Sequence, residues 1–137
     1  NTGAIGRTCL GFSARLHLVG PLGFSLDDKH VKRGGLDYWP EVDLRVYDNF
    51  ESFIPTLKTF PHRYYFTKFA NTSMLDVDFR RDASDGGKIA LIFGSEIDGF
   101  TPIKAWLHEN EDPQSLVAYP MNCPEKFRSF NLSTSAA

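Results

Sequence analysis

The sequence has few of the residues that build metal sites or disulfide frameworks. Two of its 137 residues are cysteine, Cys9 and Cys123, and no Cys-x-x-Cys pair occurs. The four histidines are scattered along the chain without the spacing of metal ligands. Structural zinc sites need closely spaced ligands, and disulfide frameworks need more cysteines. We therefore expect reduced, buried thiols and no metal.

Long apolar runs and an excess of one charge are also missing. No stretch approaches the roughly 20 apolar residues of a transmembrane helix, so no membrane partner is expected. The formal net charge of −2 argues against a broad nucleic-acid footprint, because phosphates favour clustered Lys and Arg. A local basic patch stays open at "DDKHVKRGG", where Lys29, Lys32 and Arg33 recur at helical spacing. A solvated helix face is the alternative interpretation.

The two common phosphate-binding fingerprints are absent as well. No G-x-G-x-x-G follows the first predicted strand, and no G-x-x-x-x-G-K-[ST] occurs anywhere in the chain. These absences argue against a dinucleotide-binding βαβ unit and a P-loop, and they leave other cofactor sites open.

The sequence does contain a regular alternation of helical and strand-like segments. Its 42% hydrophobic and 23% charged residues suit one globular domain over residues 1–137. Helices are predicted at 2–14, 27–35, 49–60, 101–107 and 129–137, and strands at 15–20, 42–47, 62–70, 89–93 and 115–120. We therefore expect an α/β fold with a mostly parallel sheet and helices on both faces.

Three local features of this pattern carry finer predictions. The helix at 49–60 should be disturbed at Pro55, and the continuous apolar run "IALIF" at 89–93 is typical of a strand buried on both faces. Residues 80–88, "RRDASDGGK", are predicted as a polar loop. Parallel sheets bind ligands at the carboxyl ends of their strands, so the segments that follow residues 66, 93 and 118 are the candidate binding loops.

Four blocks of residues resemble one enzyme family in their order and spacing. They are "NTGAIGRTC", "LHLVGPLGFSLDDKHVKRGGLDYW", "FGSEIDGF" and "YPMNCPEKFRSFNLSTSAA". Together they are similar to the SPOUT-class RNA 2′-O-ribose methyltransferases, and most of all to the TrmL-like branch that modifies the wobble nucleotide of tRNA. The resemblance implies a C-terminal trefoil knot, S-adenosylmethionine as methyl donor, S-adenosylhomocysteine as product, a homodimer and tRNA as partner.

The resemblance also implies which residues contact the cofactor. The loop from Gly94 to Gly99 is similar to the family's Phe-Gly-Pro-Glu loop, with Ser95 where proline is usual, and Gly94 would let the backbone approach a ligand closely. The residues implied as cofactor-binding are Phe66, Thr67, Gly94, Ser95, Gly99, Tyr119, Met121, Ser129 and Asn131.

Arg7 is the residue that matches the family on the acceptor side, and Asn1 and Glu96 are named with it as candidate catalytic residues. Arg7 is expected to orient phosphate and ribose, because arginine stays protonated and is a poor general base. Asn1 would organise the site and Glu96 would anchor its loop or pair with Arg7. The alternatives are an exposed helix arginine, a helix cap and a solvated acid. Arg128 would contact RNA or hold the knot, and a surface ion pair is its alternative.

The sequence departs from the family pattern at both ends. The family has a strand before the "NTG" block and a long helix after "NLS", so we expect a fragment, incomplete at both ends. Tyr38 and Trp39 could then lie near the dimer seam. Methylation of another tRNA or rRNA position, and a catalytically silent RNA-binding module, are the alternative functions. Cytoplasmic and organellar locations are both open.

Overall fold

The computed structural model describes residues 1–22, 38–84, 86–122 and 129–137. Its described helices are α1 (Thr2–Gly11), α2 (Phe50–Leu57), α3 (Phe79–Ser84), α4 (Lys104–Asn110) and α5 (Leu132–Ala136). Its described strands are β1 (Leu16–Val19), β2 (Leu44–Tyr47), β3 (His62–Phe66), β4 (Thr72–Ser73), β5 (Ile89–Phe93) and β6 (Leu116–Ala118). The predicted helix at 27–35 lies outside the described residues. In the part that is described, no helix has the length and apolarity to cross a membrane.

The chain divides into two compact units, and the first contains residues 1–54 and 132–137. Strands β1 and β2 pair in parallel in this unit, with Leu16 opposite Leu44. Leu16, Trp39 and Val42 are buried together, and α1 packs Ile5 against them. The first unit is therefore a small α/β layer with its own apolar core.

Helix α1 packs closely against the core of the first unit, but it ends before Phe12. A Cβ atom on Gly6 would lie 2.6 Å from the Trp39 ring, so this helix packs closely only because residue 6 is glycine. The spacing of Ile5, Cys9 and Phe12 at i, i+4 and i+7 predicts one apolar stripe on this helix, and for Phe12 this prediction is wrong, because Phe12 is 78% exposed. The helix ends at Gly11 and Phe12 is its C-cap, so Phe12 lies beyond the last helical residue, and the positive φ of 54° at Ser13 then turns the chain away.

The second unit contains residues 55–131 and has a four-stranded sheet in the order β4-β6-β3-β5. All of its described strand pairs are parallel, which confirms the prediction of a parallel sheet. Tyr65 of β3 and Val117 of β6 are fully buried. The described strands thus form two sheets, where the sequence predicted one.

Strand β5, which consists of the run "IALIF", is less buried than predicted. It stands last in the strand order of the described sheet, and Leu91 is 51% exposed. A continuous apolar run reports the composition of a strand and not the number of its neighbours, which is why the prediction of burial on both faces is wrong here.

The segment predicted as a polar loop at 80–88 contains most of helix α3. Asp78 caps this helix by accepting the Arg81 backbone N–H at 3.0 Å. Asp82, within the helix, is only 1% exposed. The prediction of a loop failed because the side chain that this short helix buries is a carboxylate, which hides its inward face from any search for apolar periodicity.

Helix α2 continues through a proline that was expected to disturb it. Asn49 accepts the Ser52 backbone N–H at 2.8 Å, as expected for a capped start. Pro55 lies inside the helix, which continues to Leu57, a fully buried residue. The predicted disturbance at Pro55 therefore does not end the helix.

Candidate functional site

Three parallel strands of the second unit end at the same level. In the sheet register Phe66, the last residue of β3, pairs with Phe93, the last residue of β5, and with Val117 in β6. The segments that follow these strands therefore leave the sheet side by side. This is the edge at which open parallel sheets bind ligands.

Aromatic rings connect the ends of these three strands. The ring of Phe66 stacks on that of Phe93 with 4.7 Å between centroids and 14° between planes. It also contacts Tyr119 at 5.3 Å, and Tyr119 meets Phe130 edge-on at 5.9 Å. Burial raises the pKa of the Tyr119 hydroxyl above its ordinary value. We call Phe66, Phe93, Tyr119 and Phe130 the aromatic edge cluster.

Sequence reasoning identified half of this cluster. It selected Phe66 and Tyr119 but missed Phe93 and Phe130. The available signal for Phe93 was its place as the last apolar residue before Gly94, at the end of a predicted strand, and the observed register pairs it with Phe66. Phe130 had no comparable signal, because it belongs to no strand and only its contact with Tyr119 brings it to this edge.

The loop after β5 is closed by contacts between its own ends. Ser95 and Gly99 form an isolated antiparallel bridge, with the Gly99 N–H donating to the Ser95 carbonyl at 2.9 Å. A Cβ atom on Gly94 would lie 2.5 Å from the Gly99 carbonyl carbon, and Gly99 has a positive φ of 57°. Both glycines are therefore needed for the loop to close. That Gly94 also admits a ligand stays a prediction.

Ser95, which stands where the family pattern has proline, stabilises this turn by a hydrogen bond. Its Oγ accepts the Asp98 backbone N–H at 3.0 Å. Serine hydroxyls commonly stabilise turns in this way. Glu96 and Ile97 lie at the exposed tip of the loop. The predicted anchoring role of Glu96 stays a prediction.

The backbone hydrogen bonds of Thr67, the residue that follows β3, limit how this residue can contact a cofactor. Its backbone N–H donates to the Val117 carbonyl at 2.9 Å and so extends the pairing of β3 with β6. Its carbonyl accepts the Ala70 N–H at 3.3 Å. Because the Thr67 N–H is already used, a ligand contact through that group is not available without breaking the sheet hydrogen bond.

The remaining predicted cofactor residues follow β6. Met121 is half-buried, whereas Ser129 and Asn131 are exposed. Their contact with a cofactor stays a prediction. The residues predicted to bind RNA, namely Lys29, Lys32, Arg33 and Arg128, lie outside the described residues, as does Cys123.

Arg7 and Asn1 belong to the first unit. The Arg7 guanidinium lies over the Tyr38 ring, 5.9 Å from its centroid, and the Tyr38 hydroxyl donates to the Gly3 carbonyl at 3.3 Å. Tyr38 thus ties the exposed Arg7 side chain back to its own helix. Asn1 occupies the N-cap position, where its carbonyl accepts the Ile5 N–H, but its side chain makes no capping hydrogen bond.

Known proteins resemble this chain over nearly its whole length. Residues 1–137 match the model of the SpoU rRNA methylase family. A protein from Geobacillus stearothermophilus, provisionally named a tRNA (cytidine(34)-2′-O)-methyltransferase, is 43% identical over 138 aligned residues. The alignment covers 100% of this chain and 81% of the relative.

Solved structures give the same result for the fold. A structure from Bacillus anthracis, provisionally named an RNA methyltransferase, has a TM-score of 0.83 at 37% identity. A second structure, from work on the 2-OH methylation of C/U34 on tRNA, has a TM-score of 0.75 at 32% identity. Each match covers 98% of this chain and 79% of the other. The likeness therefore extends over the fold as well as the sequence.

Proposed function

Because the chain belongs to the SpoU rRNA methylase family, we propose that it transfers a methyl group to the 2′-hydroxyl of a tRNA ribose, at the wobble nucleotide 34. The relative from Geobacillus stearothermophilus and the structure concerned with C/U34 carry that activity in their names. Residues 1–137 would act as a single methyltransferase domain. The RNA partner is tRNA, bound by a homodimer that builds one RNA surface from two mildly acidic chains.

One structural observation supports this proposal above the others. The level ends of β3, β5 and β6 bring the aromatic edge cluster next to a loop closed by Gly94 and Gly99. Flat apolar ring faces beside exposed backbone suit a ligand with an aromatic base and a polar tail. We propose that the C-terminal part of the chain completes this site as a trefoil knot.

S-adenosylmethionine fits the chemistry of these residues. When bound, it supplies a methyl group that is already activated on a sulfonium, and the family resemblance makes it the expected donor. Phe66 and Tyr119 would pack against its adenine, while Gly94, Ser95 and Gly99 would border it through backbone atoms. Met121, Ser129 and Asn131 complete the proposed cofactor contacts, together with Thr67 through its carbonyl, since its N–H is already used in the sheet.

On the acceptor side we assign orientation to Arg7. A guanidinium stays charged at any physiological pH and presents five N–H donors, which suits a phosphate or ribose oxygen better than it suits proton removal. Tyr38 holds this side chain by its ring face, so less side-chain freedom is lost when RNA binds. Asn1 and Glu96 are proposed as supporting polar groups of the catalytic site.

The test is methyl transfer from labelled S-adenosylmethionine to tRNA, followed by mapping of the labelled nucleoside. We expect label on the ribose of nucleotide 34. Arg7→Ala should slow transfer about 100-fold, because misplacing the acceptor by about 1 Å costs about that factor. Its affinity for S-adenosylmethionine, measured by calorimetry, should not change, since the role proposed for Arg7 concerns the acceptor alone.

Arg15→Ala is the matched control for the Arg7 variant. Arg15 is an exposed arginine of the same unit, and its 2.9 Å ion pair with Asp43 is of the surface kind that contributes little stability. Transfer by this variant should equal that of the native chain. Label on a base would contradict the proposed reaction, and equal rates for Arg7→Ala and Arg15→Ala would remove Arg7 from the mechanism.

A further inference from the structure

An exposed aromatic side chain follows β3 at the same sheet edge. Phe69 is 82% exposed, and it lies three residues beyond Phe66 of the aromatic edge cluster. The Lys68 ammonium lies over the Phe69 ring, 5.0 Å from its centroid. An apolar ring in water with a cation above it has the chemistry of a binding group.

The backbone around Phe69 is tied to the sheet. The Phe69 N–H donates to Thr67 Oγ1 at 3.3 Å, and the Ala70 N–H donates to the Thr67 carbonyl at the same distance. Thr67 in turn donates its own N–H to Val117 of β6. These three bonds form a turn whose direction the sheet fixes, so Phe69 projects outward because of the fold and not because of a loose loop.

The chemistry of the pair matches single-stranded RNA. An unpaired base has a flat π face that stacks on exposed aromatic side chains, and the adjacent phosphate attracts an ammonium group. A protein partner would need a wider apolar patch, and the ring here is accompanied by a charge. The position beside the proposed cofactor edge places such a base close to the expected site of methyl transfer.

We propose that Phe69 and Lys68 form a stacking platform for an unpaired base of the RNA substrate. Phe69 stacks on the base, and Lys68 contacts a phosphate of the same strand. This inference rests on the proposed function for the identity of the RNA, and it adds a contact outside the residues assigned to cofactor and ribose.

The experiment uses an RNA hairpin of the size of an anticodon arm, with 2-aminopurine at successive loop positions. Stacking quenches 2-aminopurine fluorescence, so the native protein should quench at least one position on binding. Phe69→Ala should lose that quenching and bind the hairpin about tenfold more weakly, in keeping with the usual effect of removing one stacked ring. Phe69→Trp should restore both signals.

Two further variants separate stacking from charge and from general exposure. Lys68→Gln should weaken binding by about threefold and reduce its salt dependence while leaving the quenching in place. Phe12→Ala removes another highly exposed phenylalanine, in the first unit, and should change neither signal. Calorimetry with S-adenosylmethionine should give the same affinity for every variant, which excludes a general loss of folding.

The possible failures can be told apart. If Phe69→Ala quenches and binds like the native protein, the platform is overturned while methyl transfer to nucleotide 34 is unaffected. If the native protein binds and quenches the hairpin but transfers no methyl group to tRNA, the proposed function fails and the platform stands. If Phe69→Ala loses S-adenosylmethionine binding as well, Phe69 has a structural role and the platform is overturned.

Discussion

At its amino-terminal end β3 begins with His62 beside the buried carboxylate of Asp82, whereas at its carboxyl-terminal end Phe66 stacks on Phe93 and Tyr119. The hydroxyl of Tyr64 donates to Asp82 Oδ2, and the Arg81 guanidinium contacts the other carboxylate oxygen at 3.2 Å. One end of the strand thus contains a buried, fully paired acid, and the other presents ring faces and loops to solvent.

The two ends of β3 have different roles, since one end stabilises the fold and the other is the proposed binding edge. A buried charge is tolerated only when partners surround it, and both carboxylate oxygens of Asp82 are bound by side chains of the protein, so the Asp82 group contributes to the fold. The aromatic edge cluster has apolar faces and neighbouring backbone, and burial there is incomplete because Phe130 is exposed. Variants at the two ends should therefore affect different measurements.

The largest effect is expected from Asp82→Ala. Removing the carboxylate leaves the Tyr64 hydroxyl and the Arg81 guanidinium without their partner and opens space in a buried site, so the free energy of unfolding should fall by about 3 kcal/mol. Urea denaturation measures this change. Affinity for S-adenosylmethionine, measured where the variant is folded, should stay within about twofold. A large loss of affinity in folded protein would show that the two ends are coupled.

The next effect is expected from Gly94→Ala at the other end. The added methyl group would lie 2.5 Å from the Gly99 backbone, so the loop must open, and S-adenosylmethionine affinity should fall about tenfold or more in calorimetry. Gly11→Ala is the matched control, because a Cβ atom there meets nothing within 4 Å. Equal affinities for the two variants would mean that the closed loop does not matter for binding.

The smallest effect concerns the pH dependence of stability. Burial and the adjacent Asp82 raise the pKa of Tyr64 to about 12. Between pH 10 and 12 the unfolded chain releases this proton while the folded chain keeps it, so stability is lost as the pH rises through that window. Comparison with Tyr64→Phe in urea titrations isolates the effect, and the stability difference between the two proteins should shrink from pH 9.5 to 12. A constant difference would contradict the assignment.

The local sequence pattern predicted most of the helices and strands, because their residue types suit the environments in which they lie. Ile5 and Cys9 of α1 pack on the core beside Trp39, and the strand runs at 16–19, 44–47 and 62–66 have the expected composition. The family assignment, made from four ordered blocks of residues, is confirmed by the match over residues 1–137.

What local pattern could not predict depends on distant partners. Asp82 is an inward-facing residue only because Tyr64, 18 positions away, donates to it. The exposure of Leu91 depends on the place of β5 in the sheet, and the role of Phe130 depends on the ring of Tyr119. Gly94 was predicted to let the backbone approach a ligand, which stays a prediction, and the close contact that requires glycine there comes from Gly99.

The side-chain hydrogen bond of Ser95 restrains the loop after β5 without a covalent constraint. A proline at this position would restrict the chain covalently in every state, whereas the Ser95 Oγ bond to the Asp98 N–H contributes only about 1 kcal/mol and can break and re-form rapidly. The turn around Ile97 is therefore stabilised by a hydrogen bond that water can replace, and not by a covalent ring. In this chain a non-covalent bond stabilises the turn at the position where the family pattern has a proline ring.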